Sequence, residues 1–185
     1  MPAKKKAARS AHAVKAGKIQ RRKSVGKRAS LMKGRRAARK PSEVVRKGTS
    51  LIEVAKRFFD ACETGKGWEG CEPYCAPNAS FAAQAGALAS VKTLQAYADW
   101  MKGVFTPFPN ATYEVKSFAA DNERRNVTAY GVFSASHTGP GGPVPASGKS
   151  MKTDYVYVMQ FEDDKIVHMT KIWNDAEALK QINWA

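Results

Sequence analysis

Two apolar stripes at helical spacing, followed past Asn110 by four segments at strand spacing, most restrict what this chain can fold into. Ser50 with Glu53 forms a capping-box pattern. Leu51, Val54, Ala55, Phe58, Phe59 and Cys62 then recur three and four residues apart, one face of a helix that Gly65 and Gly67 end. A loop-rich stretch with Trp68, Pro73, Tyr74 and Pro77 leads to a short extended run over 79–83. Ser90 reads as the N-cap of a second helix, with Val91, Leu94, Ala98, Met101, Val104 and Phe105 as its stripe and Pro107 and Pro109 closing it. Segments 112–120, 126–137, 152–161 and 165–173 are rich in Val, Tyr, Phe, Thr and Ile, the composition of strands. Asn122-Glu123 and Asp163-Asp164 mark short hairpin turns, 138–148 is a long Gly/Pro loop, and 175–184 fits a short closing helix. Helices first and a meander afterwards predict an α+β domain with helices on one face of a curved antiparallel sheet.

Charge divides the chain. Residues 1–48 hold 18 Lys/Arg and one acid, Glu43, a net charge of +17, whereas the remainder carries −2 of the total +15. Residues 49–185 are long enough to bury a core of their own. The first 48 bury too little apolar surface to offset the entropy of ordering, so a disordered basic tail is predicted. Blocks such as Lys4-Lys5-Lys6, Arg21-Arg22-Lys23 and Arg35-Arg36 suit nonspecific contact with nucleic acid or another polyanion through residues 4–47. No aromatic residue interrupts these blocks to stack on a base. An organellar targeting segment and a purely solubilising tail are the alternatives.

No apolar run is long enough for a transmembrane segment and no secretory signal opens the chain, which predicts an intracellular, cytoplasmic protein. On that reading the sequons at Asn78, Asn110 and Asn126 are chance matches. Cys62, Cys71 and Cys75 are odd in number and stay reduced. With His12, His137 and His168 scattered, no zinc spacing appears and no metal is expected. The Gly139-Pro140-Gly141-Gly142 run joins two strands and opens no helix, so it is not a phosphate-binding fingerprint; it suits a loop that closes over a pocket.

The run from Phe133 through His137-Thr138-Gly139-Pro140, then Gly142-Pro143, Gly148-Lys149, Phe161 through Lys165-Ile166-Val167, and Asp175 with Leu179, Gln181 and Ile182 resembles the SnoaL-like polyketide cyclases of the NTF2-like superfamily. The resemblance covers roughly the last 135 residues. It implies a cone, a strongly curved antiparallel sheet with helices packed in its concave face and a small-molecule pocket at the open end. It also implies a homodimer, the open sheet face with Val156 and Val158 being covered by a second copy. Polyketide cyclases of this family close a ring by aldol condensation without metal or cofactor, using a carboxylate and a histidine. Where they carry an aspartate on the fourth strand, this chain has Tyr157, and its nearest acid is Asp154.

Acid/base chemistry needs a base tuned by a partly apolar pocket and donors for a developing enolate. His137, at a strand end on the side of Phe133 and Ala135, is the candidate acid/base; the alternative is a histidine bonded to the Gly/Pro loop. Asp154 and Tyr157 are its candidate catalytic partners, although strand alternation puts Tyr155 and Tyr157 on one face and Asp154 on the other. Trp100, Tyr113, Phe133, Tyr155, Lys171 and Trp173 are the candidate substrate-binding residues. For the tyrosines core filling is the alternative, and for Lys171 an exposed position. The leading expectation is a cofactor-free cyclase- or isomerase-type enzyme acting on a carbonyl substrate. The alternative is a non-catalytic ligand-binding or dimerisation module whose tail contacts a polyanion.

Overall fold

The computed structural model describes residues 50–185, so the predicted basic tail lies outside the described residues. The first helix, α1 (Leu51–Glu63), starts where Ser50 accepts a hydrogen bond from the Glu53 N–H at 3.3 Å. It ends in a paired C-terminal lock. Lys66 N–H reaches the Ala61 carbonyl and Gly65 N–H the Cys62 carbonyl, with Gly65 at φ 68°. A Cβ at Gly65 would also lie 2.6 Å from the Phe105 ring, so the turn and the packing both require glycine.

A one-turn helix, α2 (Gly67–Cys71), and a 3₁₀ turn (Glu72–Tyr74) lead into strand β1 (Cys75–Gln84), longer than the expected extended run. The second long helix, α3 (Leu94–Val104), begins three residues later than its apolar stripe suggests. Its N-cap is Thr93, not Ser90, with the Thr93 hydroxyl accepting from Ala96 N–H at 3.1 Å. Chain preceding the helix is drawn out against β1 by the Phe81 N–H to Lys92 carbonyl bond and the Ser80–Thr93 bridge, which delays helix entry until after Thr93.

Strands β2 (Thr112–Asp121), β3 (Asn126–Ser136), β4 (Ser150–Glu162) and β5 (Lys165–Trp173) form the predicted meander. Their hairpin turns place Arg125 and Asp163 at positive φ. The sheet order is β1-β5-β4-β3-β2, and β1 runs parallel to β5. The sheet is therefore mixed, because β1 enters beside the last strand instead of pairing with a sequence neighbour. Register shifts between Val115 and Ser117 and between Gln160 and Phe161 mark bulges, which sharpen twist and bend. Helix α4 (Asp175–Gln181) closes the chain, capped by the Asn174 side chain accepting from Glu177 N–H.

Alternation along the strands sends Val127, Ala129, Phe133, Tyr155, Tyr157, Met159 and Met169 inward against Phe58, Phe59, Leu94, Tyr97 and Met101 of the helices. Register then aligns two rows across the sheet. One runs Ala129–Tyr157–Lys171–Ala83 and the next Gly131–Tyr155–Trp173. Gly131 leaves room for the Tyr155 ring, since a Cβ there would lie 2.9 Å from its Cζ. The α+β cone expected from the sequence is the observed architecture.

Candidate functional site

A cavity of about 610 Å³ opens between the C-terminal half of α3, the concave face of the sheet and the loop that joins β3 to β4. Trp100, Met101 and Val104 form the helical wall; Phe133, Met151, Thr153, Tyr155, Lys171 and Trp173 form the sheet wall; Pro140 to Pro143 and Trp184 form the rim. The lining is overwhelmingly apolar, the usual character of a small-molecule site. Among the described residues, Lys171 is the one formal charge in the lining.

Lys171 is 6% exposed. Its Nζ lies 4.9 to 5.9 Å from the centroids of five aromatic rings, those of Tyr155, Trp173, Tyr97, Tyr157 and Trp100. Each such contact favours a cation by about 0.5–2 kcal/mol. Nζ donates a hydrogen bond to the Tyr97 hydroxyl at 2.9 Å, Tyr97 and Tyr157 share one at 2.5 Å, and Tyr157 donates to the Glu63 carboxylate. Lys171, Tyr97, Tyr157 and Glu63 thus form one buried chain from the cavity wall to α1. No direct ion pair shortens it.

Burial decides the titration of this chain. It pulls the Lys171 amine below the ordinary lysine range, and the Glu63 charge opposes that shift without reversing it. Burial likewise pushes the Glu63 carboxyl up, against the Lys171 charge and the Tyr157 hydrogen bond. Burial and the Glu63 charge drive the Tyr157 phenol upward; burial first and then neighbouring Cys62 and Glu63 do so for Tyr97. Both tyrosines remain phenols at ordinary pH. Moving one proton along each hydrogen bond converts the ammonium–carboxylate pair into a neutral amine and a carboxylic acid.

Of the expected substrate-binding residues, Trp100, Phe133, Tyr155, Lys171 and Trp173 converge on the cavity. Tyr113 does not. It stands on β2, edge-on to Phe59, with its hydroxyl donating to Asp60 at 2.8 Å. Tyr157 is fully buried behind the cavity wall, within the polar chain. Asp154 is exposed on the opposite face of β4, as alternation dictates, and is not brought to the cavity.

His137 is also placed elsewhere than expected. It is fully buried in the base of the Gly/Pro loop, edge-on to Trp184. Its Nε2–H donates to the Gly141 carbonyl at 3.0 Å, while Nδ1 accepts from Trp184 Nε1–H at 3.2 Å and Ser147 N–H at 3.3 Å. Both ring nitrogens are occupied by the protein itself. This is the loop-bonded histidine of the alternative reading.

Glu63 and Tyr97 are the site residues that sequence reasoning missed. Glu63 follows Ala55 and Phe59 at four-residue steps and so lies on the buried stripe of α1, an acid where an apolar residue is usual. Tyr97 lies three residues from Leu94 and four from Met101, on the stripe of α3. Among the described residues no cluster of three or more His, Cys, Asp or Glu side chains is placed to hold a metal, and no helix is long and apolar enough to cross a membrane.

Comparison with solved structures finds the same fold at low identity. A candidate SnoaL-like polyketide cyclase from Jannaschia sp. CCS1 is 20% identical over 73% of this chain and 92% of its own, with a TM-score of 0.60. IdmH, a candidate polyketide cyclase from Streptomyces antibioticus, is 18% identical over 73% of this chain and 99% of its own, also at 0.60. AclR, a candidate hydroxylase from Streptomyces galilaeus, is 19% identical over 73% and 85%, at 0.59. No match is found among curated proteins. The family model described as SnoaL-like polyketide cyclase matches residues 53–182, essentially the whole folded unit, and the chain belongs to that family.

Proposed function

We propose that this protein is a cofactor-free enzyme that performs acid/base chemistry on an apolar, carbonyl-bearing small molecule, with Lys171 as the proton-handling group. The observation that carries this reading is the placement of Lys171: a buried amine in the wall of an apolar cavity, hydrogen-bonded to a phenol and to no carboxylate. A neutral Lys171 would take a proton from the carbon next to the ligand's carbonyl. The new ammonium would face the aromatic rings and lie beside the enolate, whose charge it would balance. The Tyr97–Tyr157–Glu63 chain would hold Lys171 in position and couple its charge to Glu63. In this reading the acid/base role passes from His137 and Asp154 to Lys171, and Trp100, Phe133, Tyr155 and Trp173 hold the substrate.

Exchange of the α-hydrogens of 2-tetralone in D₂O, followed by proton NMR with the full chain, tests the proposal. Exchange above the buffer rate that disappears in Lys171→Met supports it. Quenching of tryptophan fluorescence by the ketone without accelerated exchange instead identifies a binding module.

Two partner assignments accompany this reading. The outer sheet face, where Val156 pairs with Ile172 and Tyr130, would be covered by a second copy of the chain. The charge of +17 on residues 1–48 would bring the protein to nucleic acid or another polyanion.

A further inference from the structure

We propose that Lys171 captures carbonyl ligands covalently, its Nζ forming an imine with a ketone or aldehyde in the cavity and, with a 1,3-dicarbonyl compound, a lasting enaminone. The inference rests on the small-molecule reading above and goes beyond proton transfer.

Four observations support it. The amine lies in the cavity wall, held by one hydrogen bond to Tyr97 and, among the described residues, by no ion pair, so no adjacent carboxylate holds it as the ammonium, which has no lone pair to attack with. The side chains of Lys56, Lys66 and Lys116 are 39 to 55% exposed and each pairs with an acid. Burial disfavours the ammonium form of Lys171 and so favours the nucleophilic one. Finally, Trp100, Phe133, Tyr155 and Trp173 make the wall around the amine apolar, so a carbonyl ligand seated against them displaces water from the amine, which favours dehydration to the imine and disfavours its hydrolysis.

The Tyr97 phenol stands where the proton traffic of such a step occurs. The Nζ lone pair attacks the carbonyl carbon, a C–N bond forms, and the C=O π electrons move to oxygen. That oxygen takes one proton from Tyr97, which recovers it from the Lys171 nitrogen, giving a carbinolamine. A second proton, released by the Glu63 carboxyl and relayed through Tyr157 and Tyr97, reaches that oxygen; the C–O bond breaks as the nitrogen lone pair forms the C=N bond, and water leaves. The iminium then returns the remaining nitrogen proton along the same chain to Glu63, giving the imine. With a 1,3-dicarbonyl ligand it loses a proton from the central carbon instead, giving the conjugated enaminone. One amine and one carbonyl become one C=N linkage and one water, with no change of oxidation state.

The full chain is incubated with 1-phenyl-1,3-butanedione at pH 7.5, a condition chosen for the experiment, on the order of the physiological range. Enaminone absorbance, intact mass and peptide mapping are read with and without borohydride. The expected result is one adduct of ligand minus water on Lys171, formed about tenfold or more faster than on any other lysine, because the buried amine has the larger neutral fraction. Lys171→Arg, which keeps the cation, loses that adduct. Modification spread over exposed lysines at the same rate in the wild type and Lys171→Arg overturns the proposal. Mapping in the wild type decides the matter even where the variant fails to fold. The companion reading is separable: accelerated 2-tetralone exchange without a Lys171 adduct removes the imine and keeps the acid/base function, whereas an adduct without exchange does the reverse.

Discussion

The hydroxyls of Tyr97 and Tyr157 lie 2.5 Å apart and join an amine on β5 to a carboxyl on α1. Each phenol both donates and accepts, so the pair acts as one unit. Tyr97→Phe and Tyr157→Phe should each cost about 1–3 kcal/mol, because each leaves a buried polar neighbour without its partner. A double-mutant cycle by urea denaturation should give a coupling of about 1 kcal/mol or more. Additive losses would show that the two hydroxyls do not act together.

The pH response of Lys171 follows from the direction of its shift. Burial holds its folded-state pKa below the ordinary 10.5. Between that lowered midpoint and 10.5 the unfolded chain binds a proton that the folded chain does not, so stability rises with pH across this window, reaching its full value above 10.5 and losing it as pH falls through the folded midpoint. Subtracting the stability–pH curve of Lys171→Met from that of the wild type should isolate this rise. Because the Glu63 charge favours the ammonium, Glu63→Gln should move the midpoint of Lys171 modification further down in pH. An upward movement would contradict the electrostatic role given to Glu63.

His137 stabilises the loop. Its ring meets Trp184, Ser147 and Gly141 and faces Phe108 at 5.7 Å between centroids. His137→Ala should lower stability by about 3 kcal/mol through a cavity and unmet donors, read by thermal and chemical denaturation. Exchange of 2-tetralone at saturating ketone should persist in the folded fraction. Complete loss of exchange in a variant of intact stability would return the acid/base role to His137.

Ile172 is 44% exposed on the convex face, with Val156 beside it in register on β4. A stable interface buries about 800 Å² per partner, and a carboxylate at its centre is poorly tolerated. Sedimentation of the wild type as a dimer and of Ile172→Asp as a monomer is the expected outcome. A monomeric wild type would show that a second copy does not cover this face.

The basic segment should bind duplex DNA with affinity that falls steeply with salt and is indifferent to sequence. Titration of random and defined duplexes at several ionic strengths checks this. Salt-insensitive or sequence-selective binding would place recognition elsewhere.

Much of this molecule was legible before its structure. The stripes of α1 and α3, the strand composition past Asn110 and the Asp163-Asp164 turn reflect local rules of capping, period and turn chemistry, and the resemblance carried by the His137 to Gly148 loop led to the right family. Strand alternation also predicted the faces of β4: Tyr155 and Tyr157 point inward and Asp154 outward. Sequence alone determined these features because they depend on neighbours a few residues away.

The tertiary structure decided what depends on distant partners. Glu63 and Tyr157 are 94 residues apart, and Lys171 and Tyr97 are 74 apart, yet each pair meets in one buried chain. Nothing local distinguishes Lys171 from a solvated lysine or His137 from a pocket base. Sheet register, the parallel pairing of β1 with β5 and the docking of α1 and α3 onto the concave face bring the amine among aromatic rings, and the packing of Trp184 over the loop closes the imidazole away. Burial and hydrogen-bond partnership govern their chemistry, and both arise from packing between segments far apart in the chain.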